Sequence, residues 1–418
     1  MSSPITEFRR NSLVSLVERV VQATPVTDIH THLYDPALSG LLLYGIDDLL
    51  TYHYLVAEAF RVHRIPNDRF WIMSKTEQAE LVWNTLFLER SPISEACQGV
   101  LTTLHRLGLD VKKRDLPALR DWFQQWPAEA YVTRCMELAN VETIYMTNSP
   151  FDDAEAPAWQ HGLLRDDRFV AALRIDPLLV DWPNAVRRVA RWGYEVGEGL
   201  SANTVSEVRR FLTDWTRRIE AAYLMVSLPP EFTYPGDSDT AQVLEKCVLP
   251  HCEEHGLPMA LMLGVRRGVN PALGLAGDGS GRSDLCALAN LCSAFPQNKF
   301  LVTVLSRENQ HELCVLARKF PNLHIFGCWW FTNVPYLIDE ITRLRLELLG
   351  FSFTAQHSDA RVLDQILYKW DHSRRIIARV LIEKYTELVA AGWEETAAEV
   401  ERDVRLLFGG AFKEFCRS

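Results

Sequence analysis

The stretch Pro25-Val26-Thr27-Asp28-Ile29-His30-Thr31-His32-Leu33 decides how the rest of the chain is read. It is a short β-type run that turns polar at its end. Side chains alternate faces along a strand, so His30 and His32 project together from one strand end. Two neutral imidazoles on one side suit a borderline divalent ion such as zinc. The same pattern also occurs as a solvated strand end or a satisfied core pair. The surrounding residues must separate these readings.

The chain has 418 residues, room for two average domains or for one α/β barrel with an insertion. Its net charge is −10 and it has no basic block, so no nucleic-acid partner is expected. No apolar run approaches the roughly 20 residues that span a bilayer, so no membrane partner is expected either. The N-terminus lacks an apolar signal core. Nine cysteines occur without a Cys-x-x-Cys, several inside apolar segments, as buried free thiols would in a reducing cytoplasm.

Eight short apolar or β-branched runs begin near Val26, Glu142, Phe169, Tyr223, Pro258, Lys299, Leu323 and Ser352. Most are continuous in apolar residues rather than alternating, which suits strands buried on both faces of a parallel sheet. Helix-length stretches with a period of about 3.6 residues lie between the later runs, as in 308–319 and 334–349. Repeated strand and helix predict an α/β fold, a distorted (β/α)8 TIM barrel forming a single domain over 1–418. About 110 residues separate His32 from the second run, too many for a βα loop. Helical patterns at 46–62, 75–87, 93–107 and 117–125 predict a helical insertion over 35–138, packed on the barrel mouth. Residues 385–418, centred on the stretch from Trp393 to Phe415, read as a closing amphipathic helix. The glycine-rich 274–281 lacks the Lys-Ser/Thr of a phosphate loop and reads as a mobile surface loop.

Catalytic groups of such barrels cluster at the C-terminal strand ends. Here those ends carry His30 and His32, Arg174 with Asp176, Arg266 and Arg267, Ser306 to Asn309, Trp329 and Trp330, and Gln356 to Arg361. In a closed barrel the eighth strand lies beside the first, which places Asp359 as a third ligand or as a base beside the metal. Each residue has a plainer role open to it. Asp359 can cap a helix, the arginines can form structural ion pairs, the tryptophans can pack, and His53 and Tyr54 can be ordinary helix residues. Their convergence at strand ends favours the functional reading.

Together these residues resemble the uronate isomerase (glucuronate isomerase) family of the amidohydrolase superfamily. The resemblance rests on Thr27 to Leu33, Leu50 to Leu55, Arg174 to Pro177, Ser306 to Asn309, Phe326 to Phe331 and His357 to Arg361. It implies reversible isomerisation of D-glucuronate to D-fructuronate and of D-galacturonate to D-tagaturonate. It implies His30, His32 and Asp359 as metal-site residues holding one Zn2+, with Asp359, Arg361 and Tyr54 catalytic. It implies Arg174, Arg267, Trp329 and His53 as contacts of a small hexuronate, in an enzyme expected to be a cytoplasmic homo-oligomer. The chain departs from many members at Met262, where they carry a histidine, and at Leu228, where they carry an aspartate.

Aldose–ketose isomerisation moves a proton between C2 and C1 through an enediol. It needs a base, and an electrophile for the developing oxyanion. Asp359 suits the first, Arg361 or a metal the second, and Tyr54 can relay a proton. A planar guanidinium suits the substrate carboxylate. Two other readings stand beside this one: a metal-dependent amidohydrolase or lactonase on the same barrel, and a non-catalytic sugar-acid binding protein.

Overall fold

The computed structural model describes residues 4–38, 40–63, 65–163 and 165–417. Ten short strands are numbered in chain order: β1 Val26–Asp28, β2 Val141–Tyr145, β3 Phe169–Val170, β4 Leu173–Arg174, β5 Leu224–Leu228, β6 Met259–Leu263, β7 Val265–Arg266, β8 Gly279–Ser280, β9 Phe300–Val304 and β10 Leu323–Ile325. Parallel pairing gives one sheet of order β1-β2-β3 and a second of order β10-β9-β6-β5-β4. The first seven predicted runs are all here, each beside its sequence neighbour. The third is divided, β3 pairing with β2 and β4 with β5, and a parallel bridge from Asn148 to Leu173 links the sheets.

Neither sheet is closed. The eighth predicted run contributes a single bridge, Thr354 to Phe326, and no strand. Its next backbone N–H, on Ala355, is drawn to the carbonyl of Leu407 instead of a strand neighbour. The following segment returns to β1 through two hydrogen bonds, Asp359 N–H to His30 O (3.2 Å) and His32 N–H to Ala360 O (2.7 Å).

The continuous apolar runs are explained by two cores. Leu224, Val226, Leu228, Leu261 and Val302 face the main core under the helices. Tyr223, Met225, Ala260, Met262 and Leu301 face an inner cluster completed by Ile29, Trp329 and Phe412. Strands covered on both sides have no polar face to alternate.

Between β1 and β2 the chain is helical. Ser94 and Asp115 cap the helices Glu95–Arg106 and Leu116–Gln124 by accepting backbone N–H groups. The helix expected over 46–62 is two helices, Ile46–Leu50 and His53–Val62, because Tyr52 adopts an extended backbone (ψ 139°) and starts the second. Another helix, Gln365–Ala390, packs against Pro4–Ala23, Glu95–Arg106, Ala128–Ala139 and Pro335–Leu349.

Two further expectations change. The closing segment is not one helix: Ala397–Arg405 and Ala411–Arg417 are separated by a kink at Gly409 (φ 111°), and residues 385–390 belong to the preceding helix. The kink lets the backbone approach β1 so closely that a Cβ on Gly409 would lie 2.7 Å from Thr27 Cβ. The glycine-rich loop is partly structured. β8 pairs antiparallel with β7, and Asp278 accepts bonds from Arg267 Nη1 (2.5 Å) and Gly268 N–H (2.8 Å). No described helix is long and apolar enough to cross a membrane.

Candidate active site

His30 and His32 leave the end of β1 with their rings edge to face, centroids 5.3 Å apart. Asp359 meets them from the segment after the eighth run. Its backbone is left-handed (φ 54°), a conformation aspartate tolerates better than most residues. Oδ1 of Asp359 lies 3.4 Å from His30 Nε2 and 3.5 Å from His32 Nε2. Neither His30 Nε2 nor that Oδ1 has a hydrogen-bond partner, although both are buried. Ligands at about 2.0–2.2 Å from one tetrahedral zinc stand roughly 3.3–3.5 Å from each other, so these three atoms fit a divalent ion. Among the described residues this is the one group of three or more such side chains with ligand atoms all within 4.8 Å of one another.

A cavity of about 400 Å³ opens over this cluster. Its walls include Tyr52, His53, Arg174, Ser227, Arg267, Trp329, Trp330 and Arg361. Thus nearly every site residue expected from the sequence reaches one space. Their freedom to act on a ligand differs. Arg174 is held by Asp176 through Nε (2.7 Å) and Nη2 (3.0 Å), and Asp176 also accepts the Ser227 N–H. Arg267 is paired with Asp278. The Arg361 guanidinium has no hydrogen bond or ion pair among the described residues, and only its backbone N–H is engaged, by Gln365. Arg361 also lines two adjoining cavities, of about 810 and 230 Å³.

Tyr54 is the exception. It does not line the cavity but packs behind its wall, against Tyr52 (4.9 Å), His53 (4.6 Å) and Phe331 (6.2 Å). The tyrosine on the wall is Tyr52, at the break between two helices where the hydrophobic period predicts one. Thr147 and Ser227 carry no signal in that period, and His357 stands in the sequence only as part of the Gln356 to Arg361 strand end. Strand alternation could have found Ser227, since it shares the inner face with Met225 while Leu228 faces outward.

Burial disfavours the charged forms of the His32, His53 and His357 imidazoles. It pushes His32 down to about 3, helped by the nearby Arg361 charge, and lowers His53 to about 3 for the same two reasons. His357, fully buried 5.3 Å from the His30 ring, is also lowered to about 3 by burial. Burial opposes the Asp359 carboxylate, but the two imidazoles beside it outweigh burial and hold its pKa well below the ordinary value. The site therefore pairs an ionised carboxylate and the neutral His32 imidazole with an uncommitted guanidinium. That combination can move a proton and stabilise an oxyanion.

The arrangement is that of an α/β enzyme with a small metal-ligating cluster. An uronate isomerase from Bacillus halodurans, known from its crystal structure, is 50% identical over 100% of this chain and 97% of that one, with a TM-score of 0.97. The chain therefore belongs to the uronate isomerase family. An uronate isomerase from Thermotoga maritima (14% identity, 97% of both chains, TM-score 0.76) shares the fold. So does a glucuronate isomerase from Caulobacter crescentus (17% identity, 100% of this chain and 95% of that one, TM-score 0.76). The chain matches no protein-family model and none of the curated proteins.

Proposed function

We propose that this protein catalyses the reversible isomerisation of D-glucuronate to D-fructuronate and of D-galacturonate to D-tagaturonate, by proton transfer between C2 and C1 through an enediol. The observation that carries the reading is the unpaired Arg361 guanidinium beside the ionised Asp359 in one cavity. Asp359 takes the proton from carbon and returns it. Arg361 holds the oxygen on which negative charge develops. Arg174 and Arg267 hold the substrate carboxylate, each giving up part of its bond to Asp176 or Asp278. Trp329 and His53 wall the sugar and exclude water, and Tyr54, through Tyr52, relays a hydroxyl proton.

His30, His32 and Asp359 would hold one Zn2+, which supplies a Lewis acid for the carbonyl or alkoxide oxygen when bound. The donor set gives less support to a water-activating hydrolase, because Leu228 and Met262 are packed in apolar cores where further ligands would be needed. We read residues 1–418 as one domain, a distorted (β/α)8 barrel whose helical insertion, 35–138, covers the mouth. We read it as a homo-oligomer and place it in the cytoplasm, where nine free cysteines, seven of them buried, would stay reduced.

The test is incubation of purified protein with each uronate in D2O, with and without added zinc. Ketose formation with deuterium at the carbon that receives the proton is expected. Absence of turnover of both sugars under every condition would overturn the proposal.

A further inference from the structure

The two histidines of the metal-ligating cluster are held in different ways. His30 is 1% exposed and is clamped by rings, with His32 and His357 each at 5.3 Å and Phe326 at 6.3 Å. The His32 side chain is 19% exposed, and packing alone fixes it less. Its second ring nitrogen, Nδ1, lies 2.9 Å from the hydroxyl of Thr147.

Thr147 is placed there by the sheet. Beyond the end of β2 the backbone stays extended, with Met146 N–H bonding Val170 O and Asn148 N–H bonding Ala172 O (both 2.8 Å). Alternation puts Thr147 on the same side as Tyr145, whose ring joins the inner cluster. Thr31 donates to the Tyr145 carbonyl through its N–H (2.9 Å) and its hydroxyl (3.0 Å), which aligns the ends of β1 and β2. His32 and Thr147, one residue beyond Thr31 and two beyond Tyr145, therefore meet at the same height.

We propose that Thr147 is a positioning residue for His32: its hydroxyl accepts the Nδ1 proton, which leaves Nε2 as the nitrogen that would ligate an ion shared with Asp359. A neutral imidazole carries one N–H, and the tautomer decides whether Nε2 ligates or donates. Thr147 can accept from Nδ1 because its own hydroxyl hydrogen has another direction to take. Thr147 also lines the 230 Å³ cavity, whose walls include Ser149, Asp152 and Glu155. The tautomer assignment stands on this geometry. Its consequence for zinc rests on the reading given under Proposed function.

Three full-length proteins decide it: wild type, Thr147→Val and Thr147→Ser. Histidine-selective 15N NMR without metal reads the tautomer. Chelator competition reads zinc affinity, and steady-state kinetics separate kcat from KM. Wild type and Thr147→Ser should hold His32 as the Nδ1–H form, and Thr147→Val should shift it toward Nε2–H. Zinc affinity should fall about 10–100-fold in Thr147→Val and recover in Thr147→Ser, with kcat lowered more than KM is raised. An unchanged tautomer in Thr147→Val, or failure of the serine to restore it, would overturn the proposal. If wild type takes up no zinc, the metal reading fails, and the NMR result alone decides the role of Thr147.

Discussion

The backbone N–H of Ser358 donates to the Asp28 carboxylate at 2.9 Å, across 330 residues of sequence. The other oxygen of Asp28 accepts the Trp370 indole N–H, also at 2.9 Å. Asp28 sits two residues before His30, and Ser358 one before Asp359. This one carboxylate thus ties both halves of the ligand cluster together and anchors them to the helix Gln365–Ala390. Replacing Asp28 by alanine leaves two buried donors unpaired. A loss of about 2–5 kcal/mol is expected, seen as a lower urea midpoint. A midpoint unchanged from wild type would refute the anchoring role.

Gly327 has φ 60°, and a Cβ there would fall 1.7 Å from His357 Nδ1. Gly327→Ala must therefore displace a ring that is packed on His30. The left-handed backbone costs about 1–2 kcal/mol and overpacking about 1–3 more. Thermal unfolding should show the summed loss. A variant as stable as wild type would mean that His357 has room to move.

Asp364 is buried and accepts bonds from Gly45 N–H (2.8 Å) and Tyr131 OH. Burial pushes its pKa from 3.8 up to about 6. The folded state then holds this proton more tightly than the unfolded state. Its contribution is full below about pH 4 and is lost as pH rises through 6, up to about 3 kcal/mol in all. Asp364→Asn should flatten the fall in stability between pH 4.5 and 6.5, measured by urea unfolding at the two pH values. An identical slope in the variant would count against this group.

Asp359→Asn keeps the shape of the cluster and removes its base. Turnover should drop by about 10²–10⁴, and bound zinc, counted by elemental analysis after dialysis, should fall below that of wild type. Turnover within threefold of wild type would exclude Asp359 from proton transfer.

Tyr52 walls the cavity and Tyr54 packs behind it. Tyr52→Phe should therefore lower kcat more than Tyr54→Phe does. The reverse order, with both variants folded, would return the leading role to Tyr54.

Much of the site was legible because strand ends carry it. His30 and His32 obey simple alternation, and the polar ends of apolar runs pointed to Arg174, Arg267, Trp329, Asp359 and Arg361. Tyr52 was not legible, because a break in helix phase at one residue leaves no mark in the hydrophobic period. Thr147 was hidden for another reason: a threonine at the end of an apolar run looks like any strand residue until its partner is known.

The sequence by itself determined the parallel order of the runs, the helical character of the long first connection and the pairing of His30 with His32 on one strand face. These follow from local period and composition, which each segment carries alone. Only the tertiary structure decided that the eighth run forms one bridge instead of a strand, that Asp176 and Asp278 occupy two of the arginines, and that Arg361 stays uncommitted. Those outcomes depend on partners far apart in the chain. Competition for them is settled by geometry, which no local pattern encodes.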